Sequence, residues 1–171
     1  MRRPPDLDPP PSLVFEDWYR AEFPRVRRAM TLVTGDAGLA EDAAAEAFAL
    51  AYAHWSRVCR MQSPGGWVHT TALNQVRRTW RRALLERRQR ASSSVEHVPP
   101  PELPDTAVWR AVATLSPRAR TAVALRYVAD LTEAEVADAM NVTRGAIATT
   151  LSRARRDLAD VLRTETTGSP A

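Results

Sequence analysis

Residues 131–156, LTEAEVADAMNVTRGAIATTLSRARR, constrain the fold more than any other part of the chain. Thr132 and Glu135 stand in the Thr-x-x-Glu order of a capping box, which marks the start of a helix. Asn141 follows the apolar residues of that helix, and because Asn tolerates a left-handed backbone, the helix is predicted to end there. Thr143 is placed to cap a second helix with its hydroxyl. The predicted buried stripe of the second helix is Ile147, Leu151, Ala154 and Leu158.

The predicted helix pair has the pattern of a helix-turn-helix, whose second helix enters the major groove of DNA. Its outward face carries hydroxyl and guanidinium groups, which suit base edges and phosphates. The candidate DNA-binding residues are Thr143, Arg144, Thr149, Thr150, Arg153 and Arg155. The alternative is an ordinary helical hairpin with a solvated basic face. Taken alone, the segment predicts DNA binding and no particular target.

Length and composition narrow the remaining function classes. A chain of 171 residues with 44% hydrophobic residues suffices for one or two small domains with their own cores. One cysteine excludes a disulfide framework, and three scattered histidines show no metal-ligand spacing, so no metal or cofactor is expected. No apolar run is long enough for a membrane span or a signal peptide. We therefore expect a cytoplasmic protein without membrane insertion.

A proline-rich and serine-rich segment divides the chain. Residues 91–104, ASSSVEHVPPPELP, lack helical periodicity and are predicted to form a flexible linker. The predicted division is a disordered tail at 1–11, a domain at 12–90, the linker at 91–104, a second domain at 105–164 and a disordered tail at 165–171. Helix-start signals are frequent, and they lie at Asp36, Ser63-Pro64, Pro104-Asp105 and Ser116-Pro117. Strand signals are nearly absent, so the sequence predicts an all-α fold of two small helical domains.

The first predicted domain combines an apolar face with an acidic one. The apolar residues between Phe15 and Val33 are predicted to form core, with Pro24 kinking this helix or beginning a new one. In the alanine-rich helix that follows, Asp42 and Glu46 stand four residues apart and share a face. Two acids on one face suit a basic partner, but from composition alone a solvated helix surface is the favoured interpretation.

The strongest concentration of charge follows Ser63-Pro64. Seven arginines lie between Arg77 and Arg90, with Glu86 as the only acid among them. Tryptophan, amide and hydroxyl groups interleaved with arginine suit stacking on unpaired bases and binding of their phosphates. The alternative is that the two tryptophans of this helix are half-buried and the arginines solubilise it. Nucleic-acid contact is favoured because so many cations on a short helix repel one another without an anionic partner.

The order of an acidic helix, a helix rich in Trp and Arg, a linker and a helix-turn-helix resembles a bacterial sigma factor of the extracytoplasmic-function group. The resemblance covers residues 15–163, and the matching segments are 15–36, 40–55, 63–82 and 115–158. It implies a sigma region 2-like bundle and a sigma region 4-like helix-turn-helix domain, joined by the flexible linker.

The resemblance also implies roles and partners. The polymerase-binding residues would be Asp42, Glu46 and Phe48. The residues that open and read the promoter element nearer the start site would be Trp67, Asn74, Arg77, Arg78, Arg81 and Arg82. The helix-turn-helix would read the upstream element as duplex. The implied partners are core RNA polymerase and promoter DNA. An anti-sigma protein is often a further partner in this family. The chain is expected not to be an enzyme.

Three positions depart from the family's pattern. Ala45 stands where Gln is usual, Leu73 where Arg is usual, and Ala148 begins the stretch where a Lys-Ser-Arg run is usual. Fewer cations predict weaker upstream promoter contact, because phosphate contacts set much of the affinity. Two alternatives to a sigma factor stay open at this point. One is a DNA-binding regulator that does not engage polymerase, and the other is a polymerase-interaction protein that does not read promoters.

Overall fold

A computed structural model describes residues 14–89 and 107–167, where the backbone forms helices and turns without any strand. The N-terminal half, residues 14–89, contains α1 (Phe15–Thr34), α2 (Ala37–Ala53), α3 (Trp55–Val58) and α4 (Pro64–Gln89). The C-terminal half, residues 107–167, contains α5 (Ala107–Thr114), α6 (Pro117–Val123), a π-helical turn (Ala124–Val128), α7 (Glu133–Met140) and α8 (Arg144–Thr167). The predicted all-α class is confirmed. The predicted tail at 1–11 and the predicted linker at 91–104 lie outside the described residues.

Side-chain caps begin three helices where the sequence predicts them. Asp36 accepts a hydrogen bond from the amide of Leu39 at 2.9 Å and starts α2. The hydroxyl of Ser63 accepts from the amide of Gly66 at 3.1 Å and starts α4. Ser116 caps α6 in the same way. Each bond satisfies an amide that the first helical turn leaves without a partner. The predicted start at Pro104-Asp105 lies outside the described residues.

The core of the N-terminal half lies where α1, α2 and α4 meet. Val26 and Met30 of α1 are fully buried, and so is Val76 of α4. At one end of this core the indole of Trp18 lies 4.9 Å from the rings of both Phe48 and Trp55. The predicted apolar face of α1 is therefore core, and it holds α2 and α4 in a fixed relation.

No new helix begins at Pro24, so that part of the prediction is wrong. Helix α1 runs unbroken through this residue. Proline removes one backbone hydrogen bond, but the residues on either side of it, Trp18 and Val26, are buried on one face of the helix. Packing of an amphipathic face supplies most helix stability in proteins and outweighs the single lost bond.

The C-terminal half contains the predicted pair of helices and tight turn. Thr132 and Glu135 form a reciprocal capping box at the start of α7, with bonds of 2.8 and 3.2 Å. Asn141 ends α7 in the left-handed conformation, at φ 53° and ψ 53°. The hydroxyl of Thr143 accepts from the amide of Ala146 at 3.2 Å and caps α8. The stripe predicted to be buried on α8 is buried at Ile147, Leu151 and Ala154 and half-buried at Leu158.

Helix α8 ends later than the sequence analysis predicts. It continues to Thr167, three residues into the segment predicted as a disordered tail at 165–171. The reason is that no helix-breaking residue occurs before Gly168 and Pro170, so the preceding polar residues extend the helix.

The two halves touch along a seam. Helix α1 contacts α6 and the π-helical turn, and α4 contacts α7. A guanidinium N–H of Arg77 donates to the carbonyl of Ala139 at 2.9 Å, and Arg25 lies 3.9 Å from Asp130. Buried residues of both halves belong to one hydrophobic cluster. Within the described ranges, none of the helices has the combination of length and apolar character that a bilayer crossing requires.

Candidate nucleic-acid interface

Helix α4 presents its polar candidates as one stripe, which we call the arginine stripe. Asn74, Arg77, Arg78 and Arg81 recur at i, i+3, i+4 and i+7, so they share a face, and Arg82 lies four residues after Arg78. All are exposed except the half-buried Arg77. The opposite face of α4 is buried at Val68, Ala72, Leu73 and Val76. That packing fixes the helix and leaves the cations on its outer side.

Arg77 differs from the rest of the arginine stripe because it is engaged within the protein. It donates to the Asn74 side chain at 3.3 Å and to the Ala139 carbonyl at 2.9 Å. Burial, and next the charge of Arg81, lower the pKa of Arg77. A guanidinium keeps its charge in proteins, so Arg77 remains a cation that is directed toward α7.

The two tryptophans of α4 occupy different environments. Trp67, a predicted promoter-binding residue, is half-buried and packs against the core. Trp80 is 44% exposed, although it was not among the predicted site residues. Stacking on a base requires a free aromatic face, and Trp80 meets that requirement better than Trp67. Its position among the arginines was a signal for a stacking role, but the sequence pattern does not distinguish which of the two rings is covered.

Behind the arginine stripe lies a buried histidine. His69 has no exposed surface, and its Nδ1 lies 2.9 Å from the carbonyl of Gly65. Because a carbonyl only accepts hydrogen bonds, Nδ1 carries the proton. The Nε2 atom is buried without a hydrogen-bond partner in the structure. Burial lowers the pKa of His69 from 6.5 to about 4, so the imidazole is neutral at physiological pH.

The two predicted docking acids line a groove between α2 and α4. This acidic groove has a volume of about 440 Å³, and its walls include Asp42, Ala45, Glu46, Gln75 and Thr79. Both carboxylates are exposed. In the part of the chain that the structure describes, neither of them forms an ion pair with an arginine. They are therefore available to a basic partner.

Phe48, the third predicted polymerase-binding residue, is only 2% exposed. Its ring lies 4.9 Å from that of Trp18, 5.1 Å from that of Tyr19 and 5.6 Å from that of Phe23. A buried ring has no surface to offer a partner. Phe48 therefore anchors α2 in the core, and of the three predicted polymerase-binding residues only Asp42 and Glu46 are exposed.

On α8, three of the predicted residues line a second groove. Thr149, Thr150 and Arg153 face the start of α6 across a space of about 570 Å³, which we call the α6/α8 groove. Ser116 and Arg118 form its opposite wall. Arg118 was not predicted, although its place in the first turn of a helix capped at Ser116-Pro117 was a signal for an anion-facing residue. Two guanidinium groups, three hydroxyls and the carboxylate of Asp157 thus surround one groove.

The remaining predicted residues of the helix-turn-helix do not join that groove. Arg155 is two residues from Arg153, which places it about 200° around the helix. Arg144 lies 3.9 Å from Glu133 of α7 and is paired with it. Thr143 is committed to capping α8 through its hydroxyl. The structure therefore divides the six predicted residues among different faces.

No metal site accompanies these surfaces within residues 14–89 and 107–167, where no three His, Cys, Asp or Glu side chains are grouped for an ion. The acidic groove, the arginine stripe and the α6/α8 groove consist of surfaces suited to binding.

Two family models match the chain. The model of sigma-70 region 2 matches residues 18–85, and the model of sigma-70 region 4 matches residues 105–158. Together they span most of the chain and follow in the order that the sequence predicts. A search of curated proteins finds no match.

Solved structures give a further comparison. The fold is similar to that of the sigma factor RpoE in its complex with the anti-sigma factor NepR from Bartonella quintana, with a TM-score of 0.70 and 21% identity over 87% of this chain and 96% of that chain. A chain of the RsbN-BldN complex aligns with 86% of this chain and 91% of its own length, at 27% identity and a TM-score of 0.35. The predicted resemblance is confirmed by the two family matches and the shared fold. The chain belongs to the sigma-70 family as an extracytoplasmic-function sigma factor that binds core RNA polymerase and directs it to promoter DNA.

Proposed function

We propose that three surfaces divide the work of transcription initiation. The acidic groove at Asp42 and Glu46 docks a basic surface of core polymerase. The arginine stripe binds the promoter element nearer the start site, and the α6/α8 groove holds upstream duplex DNA. The observation that carries this proposal is the polar and cationic face of α4 from Asn74 to Arg82, which begins where the helix is still anchored by buried Leu73 and Val76.

The arginine stripe suits an unpaired strand. Regularly spaced cations follow a phosphate backbone, and an exposed ring such as Trp80 offers a stacking platform to a base. Stacking contributes about 1–3 kcal/mol per base, which is comparable to the few kcal/mol needed to unstack and unpair it. Binding of the separated strand would therefore offset the cost of opening the duplex.

The α6/α8 groove suits duplex DNA. The N-terminal part of a recognition helix meets base edges, and flanking groups hold phosphates. Thr149 and Thr150 donate their hydroxyl protons to helix carbonyls, which leaves their oxygen lone pairs as acceptors. Arg118 and Arg153 supply the cations of the groove. We infer phosphate contacts from these two arginines.

No covalent step belongs to this function, since the chain acts by binding alone. It works wherever core polymerase transcribes, which we place in the cytoplasm. By likeness to the sigma factor solved with an anti-sigma factor, we include an anti-sigma protein among the partners.

The docking assignment is tested by reversing one charge. Asp42→Arg places a cation in the acidic groove, opposite the basic partner, and should weaken binding to core polymerase at least 100-fold, because like charges across an interface cost several kcal/mol. Binding is measured by fluorescence anisotropy of the labelled chain against core polymerase. Asp42 is exposed, so the fold should be unchanged by circular dichroism.

A matched pair of neutral replacements provides the control. Asp42→Asn should weaken polymerase binding by at least about tenfold, as expected for a lost charge-assisted contact of about 1.5–3 kcal/mol. Glu41→Gln alters the adjacent exposed acid, which faces Arg27 at 3.8 Å and lies outside the acidic groove. It should change the affinity less than twofold. Equal effects of the two replacements would show that general charge, and not the groove, attracts polymerase.

A further inference from the structure

Asn74 is the one amide side chain of the arginine stripe, and it is exposed. Its carbonyl oxygen Oδ1 accepts a hydrogen bond from a guanidinium N–H of Arg77 at 3.3 Å. Residues three apart are neighbours on a helix surface, so this contact lies within α4 and does not depend on the other half of the chain. One arginine of the stripe thus binds the amide that precedes it.

The bond to Arg77 fixes which end of its amide Asn74 presents to a ligand. A guanidinium carries only donors, so the amide atom that faces it is the oxygen and not the nitrogen. Arg77 is half-buried, which restricts its side chain to fewer orientations than an exposed arginine has. Turning Oδ1 toward a base would break the bond to Arg77. The amino group Nδ2, a donor, is therefore the end that Asn74 offers.

Two threonines one turn earlier add acceptors to the same face. Thr70 and Thr71 precede Asn74 by four and three residues, and both are half-buried. Their hydroxyl protons are donated to the carbonyls of Gly66 and Trp67, each at 2.8 Å. The hydroxyl oxygens keep lone pairs that accept hydrogen bonds. A donor at Asn74 thus lies beside acceptors at Thr70 and Thr71.

The four bases divide into two classes at the edge that is used in pairing. Thymine and guanine carry an exocyclic oxygen beside a ring N–H, whereas adenine and cytosine carry an amino group beside a bare ring nitrogen. A donor beside acceptors matches the oxygen and the N–H of the first class. The usual pairing of Asn with adenine requires Oδ1 to accept from the adenine amino group, and in this chain Oδ1 is bound to Arg77.

We propose that Arg77 is a positioning residue, which makes Asn74 a reader of thymine or guanine in the unpaired strand. Adenine or cytosine at the same place would set its amino group against Nδ2, and two donors that face each other without an acceptor disfavour binding. Arg77 acts through Asn74 and needs no contact of its own with the strand. The inference rests on the proposed function of α4, because it assigns the base that this surface selects.

The base that Asn74 reads is found with the full chain bound to core polymerase. The holoenzyme binds a library of single-stranded oligonucleotides of random sequence, and sequencing of the bound fraction gives the base preference at each position of the aligned motif. Asn74→Ala should abolish the preference at one position, which identifies it. At that position the parent chain should prefer thymine and guanine over adenine and cytosine by about tenfold or more, as expected for one specific base contact.

Two neighbouring arginines separate positioning from charge. Arg77→Ala frees Oδ1 to accept from adenine, so the preference for thymine and guanine over adenine should fall below about twofold. Arg78→Ala removes the adjacent cation of the stripe, whereas the bond to Asn74 comes from Arg77. It should weaken binding of all sequences alike and leave the preference in place. Arg77→Lys keeps a side chain with donors only, so it should retain the preference. Circular dichroism should be unchanged in each variant.

Asn74→Asp provides the reverse change. A carboxylate only accepts, so the position should now prefer cytosine or adenine, whose amino groups donate. A preference that survives Arg77→Ala unchanged, or an Asn74-dependent preference for adenine or cytosine in the parent chain, would overturn the inference. So would the absence of any Asn74-dependent position when Arg78→Ala still weakens binding, and α4 would then remain the nucleic-acid surface. If neither Arg78→Ala nor Asn74→Ala changed binding, the proposed function of α4 would fail together with the inference.

Discussion

Helices α4 and α8 are both rich in arginine, yet they distribute it differently. On α4 the cations from Arg77 to Arg82 gather on one side of the helix, directly after the part whose opposite face is buried at Val68, Ala72, Leu73 and Val76. On α8, Arg153 joins the α6/α8 groove, Arg144 pairs with Glu133, and Arg155 lies on another side. The N-terminal half therefore carries a concentrated cationic surface, whereas the C-terminal half disperses its charge.

The difference concerns where affinity and specificity arise. Every cation that neutralises a phosphate adds to affinity, so cations gathered on one face can contribute together. The arginine stripe meets that condition, and the α6/α8 groove meets it with Arg118 and Arg153 alone. We expect promoter affinity to depend more on α4 than on the recognition helix.

The largest expected effect comes from protonation of His69, a buried residue of α4. The pKa of His69 is 6.5 when the chain is unfolded and about 4 when it is folded. As pH falls from 6.5 to 4, the unfolded chain takes up a proton that the folded chain refuses, so stability is lost. At 1.36 kcal/mol per unit, the free energy of unfolding should fall by about 3 kcal/mol across this window. Urea unfolding at successive pH values measures it.

The exposed His54 supplies the control for that titration. His54→Gln should leave the slope between pH 6.5 and 4 in place, whereas His69→Gln should flatten it. Nearby charges act on His69 in opposite senses, since Arg25 lowers its pKa and Glu135 raises it. If His69→Gln retained the full slope, the buried imidazole would not be its source.

Removing two arginines from each helix tests the comparison directly. Replacing Arg81 and Arg82 with alanine should weaken binding of a single-stranded promoter oligonucleotide by at least about 100-fold, since two charge-assisted contacts of about 1.5–3 kcal/mol each are lost. The slope of log affinity against log salt should fall by about 1.4, at 0.7 per contact on a single strand. Titrations by anisotropy at several salt concentrations give both quantities.

The matched replacement on α8 should be smaller. Arg153 and Arg155 lie on different faces, so their double replacement with alanine should remove one contact and lower the slope on duplex DNA by about 0.9. A decrease near 1.8 would mean that both arginines reach phosphates, and the difference between the two helices would then disappear.

The two tryptophans of α4 are expected to have different roles. Trp80→Ala removes an exposed ring and should weaken single-strand binding by about 2 kcal/mol, with little effect on unfolding. Trp67→Ala removes a ring packed against the core and should instead cost about 2 kcal/mol of stability. Parallel anisotropy and urea-unfolding measurements separate the two. A stable Trp67→Ala protein that binds the oligonucleotide poorly would show that the base stacks on Trp67 and not on Trp80.

Local features of the fold were predictable because they depend on neighbouring residues. The caps at Asp36, Ser63 and Ser116 and the left-handed Asn141 each follow from a few adjacent side chains. The end of α8 was missed because polar residues after 164 suggest a tail, while only glycine and proline stop the helix.

The site was less predictable because exposure depends on elements distant in sequence. Phe48 shares a face of α2 with buried alanines, but its burial depends on rings from α1. Arg118 belongs with Arg153 only because α6 packs against α8. In the sequence Arg77 is one of seven similar arginines. Its hydrogen bond to α7 exists only because the two halves are in contact.

The smallest expected effect concerns two turns, one between α1 and α2 and the other between α7 and α8. Gly35 ends α1 at φ 72°, and Asn141 ends α7 at φ 53°, so both turns need a left-handed residue. Alanine at either position should cost about 1 kcal/mol of unfolding free energy, because its Cβ is strained there. Gly35→Asn should cost less than alanine, and Asn141→Gly should change stability by no more than about 0.5 kcal/mol, since relief of strain offsets the greater freedom of the unfolded chain. Thermal and urea unfolding measure these differences. The measured cost of Gly35→Asn could instead equal that of Gly35→Ala. That result would mean that the half-buried surroundings of Gly35, and not its backbone conformation, require glycine, so the two turns would differ in what they require.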